Sequence, residues 1–129
     1  MYDELDERRE WIGKQVVDIA YHIHKTLGPG LLEKVYEACF SYELYKRDIP
    51  FEKQKEVAII YDDVIFEEGL RLDILVDDLV IIELKAQEDY KKIWEAQLLS
   101  YLRLTDKHLG FIINFNVPLI KEGIKRMVL

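Results

Sequence analysis

At 129 residues, half of them apolar or aromatic, the chain is long enough to bury a hydrophobic core and too apolar for a disordered segment. Its 18 Lys and Arg against 25 Asp and Glu give a net charge of −7, which disfavours an extended nucleic-acid-binding surface. A lone Cys39 excludes an internal disulfide, and no apolar run reaches the roughly 20 residues that span a bilayer. The charged N-terminal segment has no apolar signal core. We therefore expect one soluble, cytoplasmic domain over residues 1–129 without a membrane partner.

Hydrophobic spacing predicts two helices in the first part of the chain. Apolar residues recur every three to four positions over 6–27 and again over 31–46, so each segment has one stripe facing a core. The sequence G-P-G at 28–30 separates the two helices, because both Gly and Pro end helices. The predicted buried face of the second helix carries Leu32, Val35, Cys39 and Tyr42, with Tyr36 and Phe40 beside it.

Strands are predicted for the middle of the chain. Residues 51–66 alternate and then become apolar, which indicates a strand, a tight turn at Asp62-Asp63 and a short return strand. Residues 69–76 and 80–86 form a further pair of strands.

The last third of the chain predicts a helix over 88–105, a strand over 109–117 and, in preference to a short helix, a C-terminal edge strand. The order is then two helices, three strands, one helix and one or two strands. Such an order is typical of an α/β (α+β) fold, with helices flanking a central mixed sheet of four to five strands.

Four charges interrupt the apolar strands of the pair 71–86: Arg71, Asp73, Glu83 and Lys85. A two-residue turn would set each acid opposite an apolar side chain. A three-residue turn over 77–79 makes one face entirely apolar and pairs Asp73 with Glu83 and Arg71 with Lys85 on the other. The buried face therefore selects the three-residue turn.

Opposed carboxylates at Asp73 and Glu83 require compensation. Their repulsion is on the order of 4 kcal/mol at an effective dielectric constant near 20. Lys85 and Arg71 offset part of it, and a divalent cation would offset more, because carboxylate oxygens on rigid strands suit Mg²⁺ or Mn²⁺. The alternative is a solvated surface lattice of ion pairs formed by the same four residues.

This arrangement resembles the PD-(D/E)XK nuclease superfamily, in which an acid on one strand and E-x-K on the next bind metal and activate water. The matching residues are Asp73 and the tripeptide Glu83-Leu84-Lys85. The order helix, three strands, helix, strand also matches, so the resemblance implies a restriction-endonuclease-like core.

Two further motifs extend the resemblance over most of the chain from about residue 12. Gly30, Glu33 and Tyr36 read G-x-x-E-x-x-Y, which looks like the GxxExxY protein family, a small branch of that superfamily. Gln97 and Tyr101 match the Q-x-x-x-Y of exonuclease-like branches. These two residues are four apart in the third helix and therefore share a face.

The resemblance implies metal-dependent hydrolysis of phosphodiester bonds in DNA or RNA. Asp73, Glu83 and the Leu84 carbonyl would hold Mg²⁺ or Mn²⁺, and Glu33 would be a further ligand, directly or through water. Lys85 would orient the nucleophile and stabilise developing negative charge.

The remaining site residues are predicted to position groups or to contact nucleic acid. Gln97 and Tyr101 would position Lys85, the metal-bound water or the phosphate. The predicted contacts with nucleic acid are Arg71, Tyr36, Lys91 and Lys92.

Each of these residues also has a structural interpretation. Tyr36 and Tyr101 are alternatively core aromatics with satisfied hydroxyls, Glu33 is alternatively a helix-start carboxylate stabilised by the macrodipole, and the lysines are ordinary solvated charges. At the level of function, the alternative is a non-cleaving nucleic-acid- or protein-binding regulatory module that keeps the nuclease fold. We expect specificity to require a homodimer or a protein partner, because the chain shows no separate recognition domain.

Overall fold

Two helices, a five-stranded sheet and a crossover helix follow one another along residues 5–129, the part of the chain that the computed structural model describes. The elements are α1 (Glu7–Leu27), α2 (Glu33–Lys46), β1 (Phe51–Tyr61), β2 (Val64–Val76), β3 (Val80–Lys85), α3 (Ile93–Thr105), β4 (Leu109–Asn114), a 3₁₀ turn (Ile120–Gly123) and β5 (Ile124–Val128). This order confirms the predicted α/β fold and its final edge strand. The expected domain 1–129 also contains residues 1–4, which lie outside the described residues. Among the described helices, none is both long and apolar enough to cross a bilayer.

Local capping explains the bounds of α1. The Asp6 carboxylate accepts a hydrogen bond from the Arg9 amide at 2.8 Å, which satisfies a donor at the start of the helix. Gly28 ends the helix with φ +69° and donates its N–H to the His24 carbonyl. The buried stripe matches the predicted one and includes Ile12, Val16, Ile19, Ala20 and Ile23.

The buried face of α2 differs from the predicted one. Tyr36, Phe40 and Leu44 are fully buried, whereas Leu32 and Tyr42 are 66% and 58% exposed. The buried residues lie four apart and form a single stripe against the sheet. The prediction was wrong because aromatic residues occur all round this helix, so spacing alone does not identify its buried side.

The sheet has the strand order β1-β2-β3-β4-β5 and is antiparallel except between β3 and β4. Parallel strands need a crossover, and α3 provides it. Helices α1 and α2 cover one face, and α3 covers the other through Trp94, Leu98 and Leu102. The predicted mixed sheet flanked by helices is therefore confirmed.

Strand β2 is a single long strand that contains both the predicted return strand and the predicted strand 69–76. The β1–β2 register shifts between Val57 and Ile59. Gly69 lies directly against the Ile59 side chain there, and a Cβ at this position would collide with it. Beyond this shift the two strands continue as a hairpin that leaves the body of the sheet.

Helix α3 begins at Ile93, five residues later than predicted. The segment before it is held by Asn114, whose side chain accepts from the Gln87 amide at 3.1 Å and donates to the Gln87 carbonyl at 2.9 Å. These two bonds keep the chain non-helical directly after β3, so a tertiary contact overrides the helical spacing of the sequence.

Candidate active site

The hairpin between β2 and β3 has the predicted three-residue turn. Asp77 and Asp78 adopt positive φ angles of 52° and 55°, which Asp tolerates better than most residues. The observed pairs are Val76 with Val80, Leu75 with Ile81, and Ile74 with Ile82. The ladder ends at Ile74 and Ile82, so the predicted backbone pairing of Arg71 with Lys85 does not form.

Two carboxylates replace the backbone hydrogen bonds at the point where the β2–β3 ladder ends. The Leu84 amide donates to Asp73 Oδ2 at 2.8 Å, and the Asp73 amide donates to Glu83 Oε2 at 3.2 Å. The strands therefore separate at Asp73, and the side chains of Asp73 and Glu83 bridge the opening. The structure places these two acids side by side between β2 and β3, as the register predicted, although side chains rather than the backbone join them.

Along β2, the alternation of side chains between the two faces of the sheet shifts by one residue at Asp73. Ile74 packs with the helices α1 and α2, whereas Leu72 packs with α3 although it is two residues away. The predicted entirely apolar face would carry both Leu72 and Ile74, because they are two residues apart in a strand, so this part of the prediction is wrong. On the neighbouring strand β1, Gln54 lies opposite Asp73, between the pairs Lys53–Ile74 and Lys55–Leu72. Gln54 adopts φ +49°. Strands β1 and β2 are thus both distorted at the position where the Asp73 carboxylate points into the gap between β2 and β3.

Burial makes the pair of acids costly in their charged forms. Glu83 is only 6% exposed. Burial, followed by the charge of Asp73 and a hydrogen bond to its side chain, raises the pKa of Glu83 to about 9, and the positive charge of Lys85 opposes the shift. The two carboxyl groups therefore retain a proton at neutral pH, because the positive charge of Lys85 compensates only part of their negative charge.

Glu33, the first residue of α2, lies within electrostatic reach of this pair. Burial and the charges of Asp73 and Glu37 raise its pKa, against the charge of Lys85. A helix N-terminus alone would lower this pKa, so burial and the charge of Asp73 outweigh the macrodipole. Within residues 5–129, no group of three or more His, Cys, Asp or Glu side chains is close enough to hold one metal ion. Contact of Glu33 with a metal ion, directly or through water, therefore stays a prediction.

The motif G-x-x-E-x-x-Y builds the loop that presents Glu33. Tyr36 is fully buried, stacks on Phe115 with centroids 4.4 Å apart, and donates its hydroxyl hydrogen to the Gly28 carbonyl at 2.6 Å. The Leu31 amide donates to the same hydroxyl at 3.2 Å. A side chain without exposed surface cannot reach nucleic acid in this structure, so Tyr36 does not make the predicted contact. Its role is to hold the loop before α2 through its hydroxyl group.

Helix α3 brings Tyr101 towards the acids. Burial and the charges of Glu83 and Asp73 raise the pKa of the Tyr101 hydroxyl, and a hydrogen bond with the Gln97 side chain opposes the shift. Gln97 itself is exposed beside Tyr101. The predicted Q-x-x-x-Y pair therefore lies next to the opening.

Lys85 lies on β3 two residues after Glu83 and extends over the ring of Trp94, with its Nζ 5.5 Å from the ring centroid. Trp94 was not among the predicted site residues. Its contact with Lys85 depends on where α3 crosses the sheet, so the sequence holds no signal for it.

The three exposed basic candidates differ in their partners. Arg71 donates to Glu56 Oε1 at 3.1 Å across the β1–β2 ladder, so a carboxylate already compensates its charge. Lys91 and Lys92 are exposed in the segment before α3, and no described residue forms an ion pair with either. They remain the stronger candidates for phosphate contacts.

Sequence reasoning did not identify Gln54. Its Nε2 donates to Glu37 Oε2 at 2.8 Å, one helical turn after Glu33. It therefore joins β1, opposite Asp73, to the helix that presents Glu33. A glutamine with positive φ is uncommon, and no local sequence signal predicts it.

A mixed five-stranded sheet flanked by helices, with two acids and a lysine where β2 and β3 separate, defines a restriction-endonuclease-like domain. The chain belongs to the PD-(D/E)XK nuclease superfamily, since the model of that superfamily matches residues 10–127. Comparisons with curated proteins and with solved structures found no match.

Proposed function

We propose that the protein is a metal-dependent nuclease that hydrolyses phosphodiester bonds in DNA or RNA. The observation that carries this proposal is the separation of β2 and β3 at Asp73, which leaves the carboxylates of Asp73 and Glu83 in contact beside Lys85. The charge of Lys85 compensates only part of the negative charge of this pair. Membership of the superfamily supports a nuclease-like function. The G-x-x-E-x-x-Y motif supports assignment to the GxxExxY branch, and the lone Cys39 suits a cytoplasmic protein.

The residues around the opening fit a hard divalent cation. Backbone amides use Asp73 Oδ2 and Glu83 Oε2, while no N–H within residues 5–129 is bonded to the second oxygen of either carboxylate. The Leu84 amide points towards β2, and in a strand the carbonyl of the same residue points the same way. Asp73, Glu83 and the Leu84 carbonyl would hold Mg²⁺ or Mn²⁺ and leave positions for water and phosphate.

The bound cation would lower the pKa of its water and neutralise charge on the phosphate. Lys85 would orient that water and stabilise the negative charge that develops on the phosphate oxygens. Tyr101 and Gln97 would hold the water or the phosphate from the side of α3, and Glu33 would bond to metal-bound water. Lys91 and Lys92 would contact neighbouring phosphates, and Arg71 would do so after release from Glu56.

A cleavage assay tests this function. The purified protein should cut at least one of plasmid DNA, linear duplex, single-stranded DNA and RNA in Mg²⁺ or Mn²⁺ and none in EDTA. Asp73→Asn and Lys85→Ala should each reduce the rate by about a hundredfold or more. Asp78→Asn is the matched control, since Asp78 is an exposed acid that pairs with Lys107 at 3.1 Å outside the opening. Concentrated wild-type protein that cuts none of these substrates would contradict the proposal.

A non-cleaving binding module is the second candidate, and the net charge of −7 together with the ion-paired Arg71 favours it. Such a module would bind nucleic acid or a protein partner without cutting. A melting temperature that rises with Mn²⁺, combined with binding and no cleavage, would identify this case.

A further inference from the structure

The β1–β2 hairpin continues past the register shift as an arm, defined here as residues 58–68. Ile59 pairs with Phe66, Ile60 with Ile65, and Tyr61 with Val64, so the arm is a two-stranded ribbon. Apart from Ile59, which packs against the core, its large side chains are at least half exposed and occupy both faces: Ile60, Tyr61, Val64, Ile65 and Phe66. An isolated two-stranded ribbon is marginally stable in water, and such a concentration of exposed apolar groups marks an interaction surface.

The charge of the arm limits what can cover it. It carries Asp62, Asp63, Glu67 and Glu68 and no Lys or Arg. Nucleic acid and anionic membranes are therefore repelled, and so is a second arm laid against the first. The matching surface must combine apolar side chains with unpaired cations.

The outer side of α1 provides such a surface on the same chain. Two adjoining hollows of about 520 and 500 Å³ share Asp18 and Tyr21 and form one continuous groove, called here the α1 groove. Val17 and Leu119 contribute apolar surface to it, and the buried Phe111 lies beneath.

The acids of the α1 groove are already paired. Glu10 bonds to Arg126 at 2.8 Å, and Asp18 to Arg47 at 2.9 Å. Its lysines have no ion-pair partner within residues 5–129 and leave the groove with uncompensated positive charge: Lys14, Lys25 and Lys121.

We propose that the arm of one copy docks into the α1 groove of a second copy, and that two copies exchange arms to form a closed dimer. The apolar side chains of the arm would cover Tyr21 and Leu119, and its acids would pair with the free lysines. The exchange uses each arm and each groove once, so two copies leave neither surface uncovered. This proposal is independent of the proposed nuclease function.

Sedimentation equilibrium or light scattering over a concentration series from micromolar to hundreds of micromolar tests the dimer. The full chain should be dimeric, and salt should weaken it. Tyr61→Ser combined with Phe66→Ser should raise the dissociation constant by at least about tenfold. Tyr45→Ser is the matched control, because Tyr45 is 72% exposed on α2 while Tyr61 is 70% exposed on the arm. A monomer at every concentration, or an equal effect of the control, would overturn the proposal.

Charge reversal identifies the two surfaces as partners. Lys14→Glu with Lys121→Glu should dissociate the dimer, and adding Asp62→Lys with Asp63→Lys should restore it. Circular dichroism verifies that each variant is folded. A dimer that the groove variants do not weaken would place the arm elsewhere and overturn the proposal. Nucleic-acid binding that is lost only in the arm variants would do the same, because it would make nucleic acid the partner.

Discussion

The Asp73 and Glu83 carboxylates occupy the space where a continuous ladder would place backbone hydrogen bonds. A hydrogen bond with a charged group contributes about 1.5–3 kcal/mol, so the two amide contacts stabilise the opening. Two charged carboxylates in contact repel each other by a similar or larger amount when partly buried. A retained proton resolves this conflict in the metal-free protein, and a divalent cation would resolve it in the proposed metal-bound state.

Glu83 should make the metal-free protein less stable as the pH rises. Its pKa is higher in the folded than in the unfolded state, so its stabilising contribution is complete below about pH 4.5 and is lost towards about pH 9. The loss is at most about 1.4 kcal/mol per pH unit. Thermal melting in EDTA across this range measures it. Glu83→Gln should remove this contribution and melt several degrees above the wild type at alkaline pH.

Glu88→Gln, at an exposed loop position, is the control for this pH dependence and should follow the wild type. Excess Mn²⁺ should stabilise the wild type increasingly at higher pH, because coordination requires the deprotonated carboxylate. Identical pH profiles for the wild type and Glu83→Gln would show that Glu83 carries no retained proton.

The positive φ of Gln54 gives a second test at single-residue scale. Gln54→Gly and Gln54→Val both remove the bond to Glu37, so the difference between them isolates the backbone conformation. The valine variant should be less stable by about 1–3 kcal/mol, because a β-branched residue is strained at positive φ. Urea denaturation measures the difference. In a regular strand the order would reverse, since Val favours and Gly disfavours extended backbone.

At the scale of elements, the sequence predicts what depends on a buried face and misses what depends on a tertiary contact. The β2–β3 register was predictable because a slip of one residue would expose the whole apolar face. The shift of side-chain alternation along β2 at Asp73 was not predictable. It requires both the separation of β2 from β3 and the left-handed backbone conformation of Gln54. The acids, Lys85 and the Gln97–Tyr101 pair were predictable from motifs, whereas Trp94 was not, because chain crossing brings it to Lys85.

Asn114 decides where α3 begins. It is 1% exposed and bonds to both backbone groups of Gln87. Asn114→Ala would leave these groups without partners and should lower the free energy of unfolding by about 1–3 kcal/mol. Urea denaturation measures this change.

Asn116→Ala is the matched control, because the Asn116 side chain makes no hydrogen bond with the described residues. It should change the free energy of unfolding by less than about 0.5 kcal/mol. Equal effects of the two substitutions would mean that Asn114 does not hold the segment before α3.

For the molecule as a whole, the proposed binding of nucleic acid would have to use a small number of cations, because the chain carries a net charge of −7. Ion pairs within residues 5–129 already engage Arg71 with Glu56 and Lys107 with Asp78. Lys91 and Lys92 have no ion-pair partner in the described part of the chain and lie beside the helix that bears Gln97 and Tyr101. Binding of nucleic acid should therefore be weak, concentrated on this segment and strongly dependent on salt.

Lys91 and Lys92 should account for much of this salt dependence. In EDTA, where no cleavage is expected, Lys91→Ala combined with Lys92→Ala should weaken binding to a short labelled DNA or RNA. The slope of log K against log salt should fall in magnitude by about 1–2, because each lost phosphate contact removes somewhat less than one released counterion. Fluorescence anisotropy at several salt concentrations measures both effects. Lys125→Ala, on β5 at the far edge of the sheet, should leave the slope unchanged. If Lys125→Ala lowers the slope and the double variant does not, the nucleic acid lies on β5 rather than beside α3.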